Sequence, residues 1–282
     1  MALDVFFTPA VDGPTLAAAI RPSLPWQVGQ RGRLRKQISQ LIYDNDDTGV
    51  AFTVDREAEE LSDGSPELSP FNARINLGRP SFYGQEAIGA LMLLARDAGA
   101  ELVLLDEEQR PRRAALDELL DAWSRGNASA WAAVDPTRSI GVPVAREDAD
   151  AWWQWQMWRA RRERELEELA FVPRLFLLRR GGGPAIRAWT WPGGQAQAIP
   201  DGDVVLCPVD GGGMLLLTQD EARSIVAGLT TTITCRDRGV VTYVPIEHDA
   251  AVKARFSSSV AGRRLIASSE LEAVSADRLR DC

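Results

Sequence analysis

The stretch from Asp135 to Pro143 most constrains the fold of this chain, because it separates two segments that each carry a strong helical pattern. It contains two prolines and one glycine, which are residues that end helices and favour turns. The chain has 282 residues, which is longer than most single domains. The sequence therefore predicts two domains, residues 1–134 and residues 146–282.

The first predicted domain alternates strand and helix signals in the order β-α-β-β-β-α-β. Asp12 and Ser81 stand where a residue that caps a helix is expected. Two short apolar runs flank the turn-rich residues 44–49, which predicts a hairpin over residues 38–54. Because helices are inserted between the strands of a small sheet, the fold class predicted is α+β, a sandwich with both helices on one face.

The second predicted domain begins with one long helix over residues 146–170, which carries four tryptophans. Beyond it, apolar segments alternate with three glycine-rich turns. This alternation predicts a meander of antiparallel hairpins, and so a second α+β domain with an antiparallel sheet. A short helix around residues 269–280 is expected near the C-terminus.

Residues that mark catalytic and metal sites are scarce. The chain has a single histidine, His248, and three widely spaced cysteines, and none of them stands in a nucleophile, zinc or phosphate-binding motif. The sequence thus identifies no catalytic residue, no metal ligand and no cofactor, and it favours a non-enzymatic role without deciding the matter. The cysteine spacing favours a cytoplasmic location, and the longest apolar run, residues 87–95, falls short of the roughly 20 residues that span a bilayer.

The charge distribution points to a protein partner. The formal net charge is −8, which opposes binding to nucleic acid or to an anionic membrane and favours a basic protein. Between Leu41 and Glu67 there are nine acidic residues against Arg56 alone. The candidate partner-binding residues are Asp44, Asp46, Asp47, Asp55, Glu57, Glu59, Glu60 and Asp63. Two alternatives are a solvated acidic loop and a calcium loop at residues 44–49, although that loop lacks the terminal glutamate of an EF-hand.

The long helix offers a second candidate site. Trp152, Trp155 and Trp158 fall on one helical face, which predicts either packing between the two domains or an aromatic wall for a ligand. In the second case Trp152, Trp155 and Arg79 are candidate residues of an interdomain cleft. The alternating arginines and glutamates of residues 159–168 predict a solvated, salt-bridged surface, with an arginine-lined site for phosphate or carboxylate as the alternative.

Two stretches of the first domain resemble a known pattern. The sequences Tyr-Asp-Asn-Asp-Asp-Thr-Gly-Val-Ala-Phe at 43–52 and Ile-Asn-Leu-Gly-Arg-Pro-Ser-Phe-Tyr-Gly-Gln-Glu-Ala at 75–87 are similar to uncharacterised bacterial proteins that are organised like the immunity proteins of polymorphic toxin systems. The resemblance implies a two-domain, cytoplasmic protein that neutralises a toxin. It implies no particular binding residue.

These observations lead to one expected function and two alternatives. The expected function is that of an acidic cytosolic binding protein, an immunity protein that neutralises a cognate bacterial toxin by direct occlusion. The first alternative is a carboxylate-based hydrolase or transferase with an interdomain aromatic cleft. The second is a structural or regulatory subunit.

Overall fold

A computed structural model gives the fold of the chain. It describes residues 1–9, 11–12, 14–16, 18–19, 40–56, 68–69, 71–108, 110–135, 140–167, 169–209, 213–235, 240–260 and 266–281. These residues form a mixed α/β structure with several antiparallel sheets. The chain divides into two compact units, Met1–Gly141 and Val142–Cys282, and the division falls in the interval 135–145 between the two predicted domains.

Where the structure describes the first unit, it consists of a six-stranded sheet and the helices that follow its strands. Its elements are β1 Ala2–Thr8, β2 Gln40–Asn45, β3 Val50–Arg56, β4 Phe71–Asn76, α1 Ser81–Asp97, β5 Glu101–Leu105, β6 Pro111–Arg113 and α2 Leu116–Val134. Residues 14–16 and 18–19 are also helical. The Asp12 carboxylate accepts a hydrogen bond from the Thr15 amide at 2.8 Å, as expected of a capping residue.

The six strands of this sheet lie in the order β2-β3-β4-β1-β5-β6, and neighbouring strands are antiparallel. Tyr43 of β2 is paired with Phe52 of β3, which is paired in turn with Ile75 of β4. All three side chains are buried on the face where α1 packs. The predicted hairpin is thus confirmed over residues 40–54, and residues 38–39 lie outside the described part of the chain. Strand β6 is not among the predicted strands. Its side chains are all exposed, so the sequence there lacks the alternation of apolar and polar residues that indicates a strand.

Helix α1 begins without the predicted side-chain cap. Its N-cap residue is Pro80, with extended backbone angles of φ −65° and ψ 159°, and no side chain caps the helix there. Ser81 is already the first helical residue, so the prediction that Ser81 caps the helix is wrong. The physical reason is that the proline ring fixes the extended geometry that a cap position requires.

The described residues of the second unit form three sheets. Its elements are β7 Val142–Val144, α3 Arg146–Leu166, β8 Phe176–Arg180, β9 Ile186–Thr190, β10 Gln197–Ala198, β11 Val204–Val209, β12 Gly213–Thr218, α4 Gln219–Val226, β13 Thr231–Thr234, β14 Val240–Val244, α5 Asp249–Val260, β15 Leu271–Ala273 and β16 Leu279–Asp281. The sheet orders are β12-β11-β9-β8-β15, β10-β14-β13 and β16-β7. No helix of the described residues is long and apolar enough to cross a membrane.

The second unit is not a purely antiparallel meander. Strands β9 and β11 are parallel, with Ala188 beside Val204, and β7 and β16 are parallel as well. Parallel neighbours need a crossover connection, and residues 191–203 supply it by visiting β10 in another sheet. The turn at Pro192–Gly194 is therefore part of a crossover, although the Gly181–Gly183 turn does join an antiparallel pair.

The C-terminal helix predicted around residues 269–280 does not form. That segment contains β15, β16 and short 3-10 turns instead, and the regular helix lies earlier, at α5. Ala273 of β15 is paired with Leu178 of β8, and Glu272 forms an ion pair with Arg179. Pairing with distant strands thus outweighs the local helical tendency of this short segment.

Candidate functional site

The β2–β3 hairpin and helix α1 meet around one buried carboxylate. Three side chains of the β2–β3 hairpin donate hydrogen bonds to Oε1 of Glu86: Tyr43 Oη at 2.8 Å, Asn45 Nδ2 at 2.7 Å and Thr48 Oγ1 at 3.0 Å. Glu86 lies on α1 and is 3% exposed. A carboxylate so buried requires donors of this kind. We call these four residues the anchor cluster, because they hold the hairpin on the helix.

Tyr83 fixes the hairpin to α1 at a second point. Its hydroxyl accepts a hydrogen bond from the Ala51 amide at 3.1 Å and donates to the Ala51 carbonyl oxygen. The pairing of β3 with β4 ends at Phe52 and Ile75, so the next pair would set Ala51 opposite Asn76. The tyrosine hydroxyl therefore takes the place of a strand partner for Ala51, and it also accepts from Asn76 Nδ2 at 3.5 Å.

The turn of the hairpin is shaped by its own polar groups. Asn45 Oδ1 accepts a hydrogen bond from the Asp47 amide at 3.1 Å, and the Asn45 carbonyl accepts from the Gly49 amide at 2.7 Å. Gly49 has a φ of 71°, a left-handed conformation that glycine adopts without a steric cost. The positions of the acidic residues in this turn are therefore set by the backbone.

The side of the hairpin that points away from the anchor cluster is acidic. Asp44 is paired with Ala51 and Ile42 with Thr53, and paired residues of antiparallel strands place their side chains on one face. Asp55 lies two residues beyond Thr53, so it shares that face. We call this surface the outer face of the hairpin; its residues are Ile42, Asp44, Ala51, Thr53 and Asp55.

Half of the predicted partner-binding residues lie on or beside the outer face. Asp44 and Asp46 are exposed, and Asp47 and Asp55 are half-buried. Asp55 Oδ2 accepts a hydrogen bond from Thr53 Oγ1 at 2.8 Å. The remaining four predicted residues lie outside the described part of the chain; they are Glu57, Glu59, Glu60 and Asp63.

Arg79 lies in the loop between β4 and α1, which is hydrogen-bonded to Asn127 and, through the Arg79 carbonyl, to Trp131. Asn127 Oδ1 accepts hydrogen bonds from the amides of Gly78 at 2.7 Å and Arg79 at 2.9 Å, and its Nδ2 donates to the Arg79 carbonyl at 2.7 Å. The Arg79 guanidinium stands 5.8 Å from the ring centre of Tyr83. Arg79 therefore belongs to the first unit, next to the support of the hairpin.

Trp152 and Trp155 belong to the second unit and are packed within it. Trp152 is 5% exposed and donates from Nε1 to the Leu175 carbonyl at 3.0 Å. Trp155 donates to the Pro173 carbonyl at 2.8 Å and packs on the core cluster that includes Leu166. A cleft wall needs exposed ring faces, whereas the ring of Trp152 is buried among residues of its own unit.

The charged part of α3 forms ion pairs along the helix. Arg161 Nε lies 3.0 Å from Glu165 Oε1, and Arg159 pairs with Glu163 in the same i,i+4 spacing, as the salt-bridged interpretation predicts. The guanidinium of Arg162 lies 4.4 Å from the ring centre of Trp155. Burial there lowers the pKa of Arg162 from its ordinary value. Arg162 thus stacks on the aromatic face that covers the core of the unit.

Among the described residues, no group of three or more histidine, cysteine, aspartate or glutamate side chains is arranged to hold a metal ion. Comparisons with protein-family models, with curated proteins and with solved structures find no match to this chain.

Sequence reasoning missed the residues that support the outer face. The sequence does not mark Glu86 and Asn127 as site residues, because each is a single polar residue in a helical segment. A signal was nevertheless present: Tyr43 and Asn45 occupy the inward positions of β2, where apolar side chains are the norm. Polar residues at inward positions require buried partners, and Glu86, on the buried face of α1, is such a partner.

Proposed function

We propose that this chain is a cytoplasmic binding protein that neutralises a basic toxin domain by covering it with the outer face of the β2–β3 hairpin. Asp44 and Asp55 of that face, together with Asp46 and Asp47 of the turn, are the contact residues. The observation that carries the proposal is the anchoring of the hairpin: the acidic residues project from a strand pair whose opposite side is hydrogen-bonded to α1.

Rigid support matters because binding costs conformational entropy. A flexible acidic loop loses freedom when it docks, whereas a hairpin held at Glu86 and Tyr83 has already lost it on folding. Fixed negative charges also steer a basic partner during its approach and raise the association rate. The resemblance to toxin immunity proteins supplies the class of partner, and the acidic balance of the chain agrees with a basic one.

We also propose a specific arrangement for the first unit. It is an α+β sandwich of β-α-β-β-β-α-β order, extended by β6, with its helices on one side of the sheet. The outer face then lies on the other side of the hairpin. In this arrangement a partner can approach the acidic surface without displacing a helix.

The test compares two variants that lose the same charge. In the first, D44N/D46N/D47N/D55N removes four negative charges at the hairpin. In the second, D117N/D121N/E147Q/E247Q removes four from exposed positions elsewhere. The partner is first isolated from cells of the source organism by capture at low salt and release at high salt, and its affinity for each purified variant is then measured by calorimetry.

We expect the hairpin variant to bind at least about tenfold more weakly, because it loses several charge interactions with the partner. The control variant should bind within about twofold of the original protein. The captured partner should also lose its toxicity when the original protein is present, and regain it with the hairpin variant. Equal affinities for the two variants would contradict the proposal.

A further inference from the structure

Strand β13 of the second unit, Thr231–Thr234, lies at the edge of the sheet β10-β14-β13. Among the strands of the described residues it pairs with β14 alone. All of its residues are β-branched, a composition that favours strand pairing. It carries neither a proline nor a charge, which commonly protect an edge from other chains, whereas the edge strand β6 is Pro-Arg-Arg. The edge of β13 is therefore suited to pair with a further strand.

The hydrogen bonds of β14 show which backbone groups of β13 point outward. The Thr242 carbonyl of β14 accepts a hydrogen bond from the Ile199 amide, next to β10, at 2.8 Å, so the backbone groups of Thr242 point toward β10. Along an antiparallel strand this direction alternates, and directly opposed residues point either toward each other or away from each other. Thr242 is paired with Thr232. The amides and carbonyls of Thr232 and Thr234 therefore point away from β14, toward the edge.

Solvent reaches this edge of the sheet. Thr231, Thr232 and Thr234 are exposed, and a hollow of about 550 Å³ lies between the end of β13 and the last turns of α3. The residues that line the hollow are Arg161, Arg164, Glu165, Ile233, Thr234 and Cys235. An added strand therefore finds space beside β13, and the helix above it presents charges of both signs.

We propose that β13 pairs with the β13 of a second copy of this chain, antiparallel, about a two-fold axis at Ile233. In this register Thr232 of each copy lies opposite Thr234 of the other, and the outward amides and carbonyls of each such pair exchange hydrogen bonds. The two Ile233 side chains meet as a closely spaced pair that is not hydrogen-bonded. The inference goes beyond the proposed function, because this interface belongs to the second unit and does not include the outer face.

The helices that cover the two sheets leave room for the pairing. Leu166 of α3 and Val241 of the middle strand β14 belong to one buried cluster, so α3 packs over the middle of its sheet. Neighbouring strands lie about 4.8 Å apart, which sets the two middle strands about 14 Å from each other. Packed helices approach to about 8–10 Å, so the two α3 helices do not clash. Arg164 of one copy and Glu165 of the other reach into the gap between the helices, where opposite charges attract.

The first test measures the mass of the purified whole chain by sedimentation across the micromolar range. Thr232→Pro removes an outward N–H without removing a bond to β14, and edge strands tolerate proline at such a position. Thr232→Val keeps the amide and the β-branched shape, so it is the matched control. We expect the original protein and Thr232→Val to dimerise alike. Thr232→Pro should dimerise about tenfold more weakly or worse, because each copy loses a hydrogen bond across the interface.

The second test examines the two-fold register. Ile233→Lys and Ile233→Glu each set like charges opposite one another across the axis, which is destabilising. Each variant alone should therefore sediment as a monomer, with the fold retained in its amide spectrum. An equimolar mixture sets lysine opposite glutamate, and native mass spectrometry should then detect a dimer that contains one copy of each variant.

Three results would overturn the inference: an original protein that stays monomeric at every concentration, a dimer that Thr232→Pro does not weaken, and a mixture of the folded Ile233 variants that stays monomeric. A different occupant of the edge would also be visible. If the original protein is monomeric alone, and the amide signals of Thr232 and Thr234 shift only when the captured basic partner is added, the edge binds that partner and the pairing of two copies is wrong.

Discussion

Tyr43 and Glu86 are 43 residues apart in the chain, yet the tyrosine hydroxyl donates to Glu86 Oε1 at 2.8 Å. This bond joins the hairpin to α1 and sets which side of the hairpin faces solvent. Because Asn45 and Thr48 donate to the same oxygen, three side chains of the hairpin share one buried carboxylate.

Replacing Glu86 with alanine should destabilise the first unit by about 3 kcal/mol, since three buried donors lose their acceptor. Glu86→Gln keeps an acceptor oxygen and should cost about 1–2 kcal/mol. Urea unfolding and hydrogen exchange of the amides of residues 50–54 measure the effect. Glu107→Ala, at an exposed position, is the control and should stay within about 0.5 kcal/mol. A loss below about 1 kcal/mol for Glu86→Ala would show that the anchor cluster contributes little.

Two glycines of α1 should respond in opposite ways to substitution by alanine. A Cβ at Gly84 would lie 2.5 Å from Cδ2 of the buried Trp123 ring, whereas a Cβ at Gly89 would meet nothing within 4 Å. We expect Gly84→Ala to destabilise by about 1–3 kcal/mol through overpacking. Gly89→Ala should stabilise by about 0.5–1 kcal/mol, because alanine favours helix. The urea midpoint of each variant is compared with that of the original protein. A change of the same sign in both variants would refute the packing of α1 on α2.

Asn127→Ala should loosen the loop before α1, because three hydrogen bonds to Gly78 and Arg79 are lost. The expected cost is about 1–2 kcal/mol, reduced somewhat by the better helix propensity of alanine in α2. Amide exchange of Gly78 and Arg79 should speed up at the same time. Ser129→Ala, two residues along and exposed, is the matched control; if both variants exchange alike, the loop is held by other contacts.

The stability of the second unit should depend on pH through Asp249. Burial alone would raise the pKa of this carboxyl, but hydrogen bonds from Lys253 and the Gly194 amide, and the charge of Lys253, outweigh burial and lower the pKa below its ordinary 3.8. A lowered pKa stabilises the fold above the unfolded-state value and loses that effect as pH falls through the folded-state value. Asp249→Asn should therefore cost about 1 kcal/mol at pH 7.

That difference should shrink as the pH is lowered below 3.8. Urea unfolding of both proteins at a series of acidic pH values, followed by amide exchange at Gly194, measures it. Asp220→Asn, an exposed acid at the start of α4, serves for comparison. A difference that does not vary with pH would mean that the Asp249 carboxylate charge does not stabilise the fold.

Local patterns in the sequence determined the parts of the fold that depend on neighbouring residues. The capping aspartate Asp12, the β2–β3 hairpin and the helix bearing Trp152 follow from turn chemistry and periodicity, which act over a few residues. The acidic character of residues 41–67 is also a property of the sequence alone. These features need no knowledge of distant contacts.

The tertiary structure decided everything that depends on residues far apart in the chain. The anchoring of Asn45 and Tyr43 by Glu86, the parallel pairing of β9 with β11, and the strand at Leu271–Ala273 in place of a helix all arise from long-range pairing. Such contacts give buried polar groups their hydrogen-bond partners and form the hydrogen bonds between strands. Each contributes more to the free energy of folding than the weak conformational preference of a short segment. For the same reason, the sequence placed negative charge at Asp44 and Asp55, but only the register of the strands put the two side chains on one face.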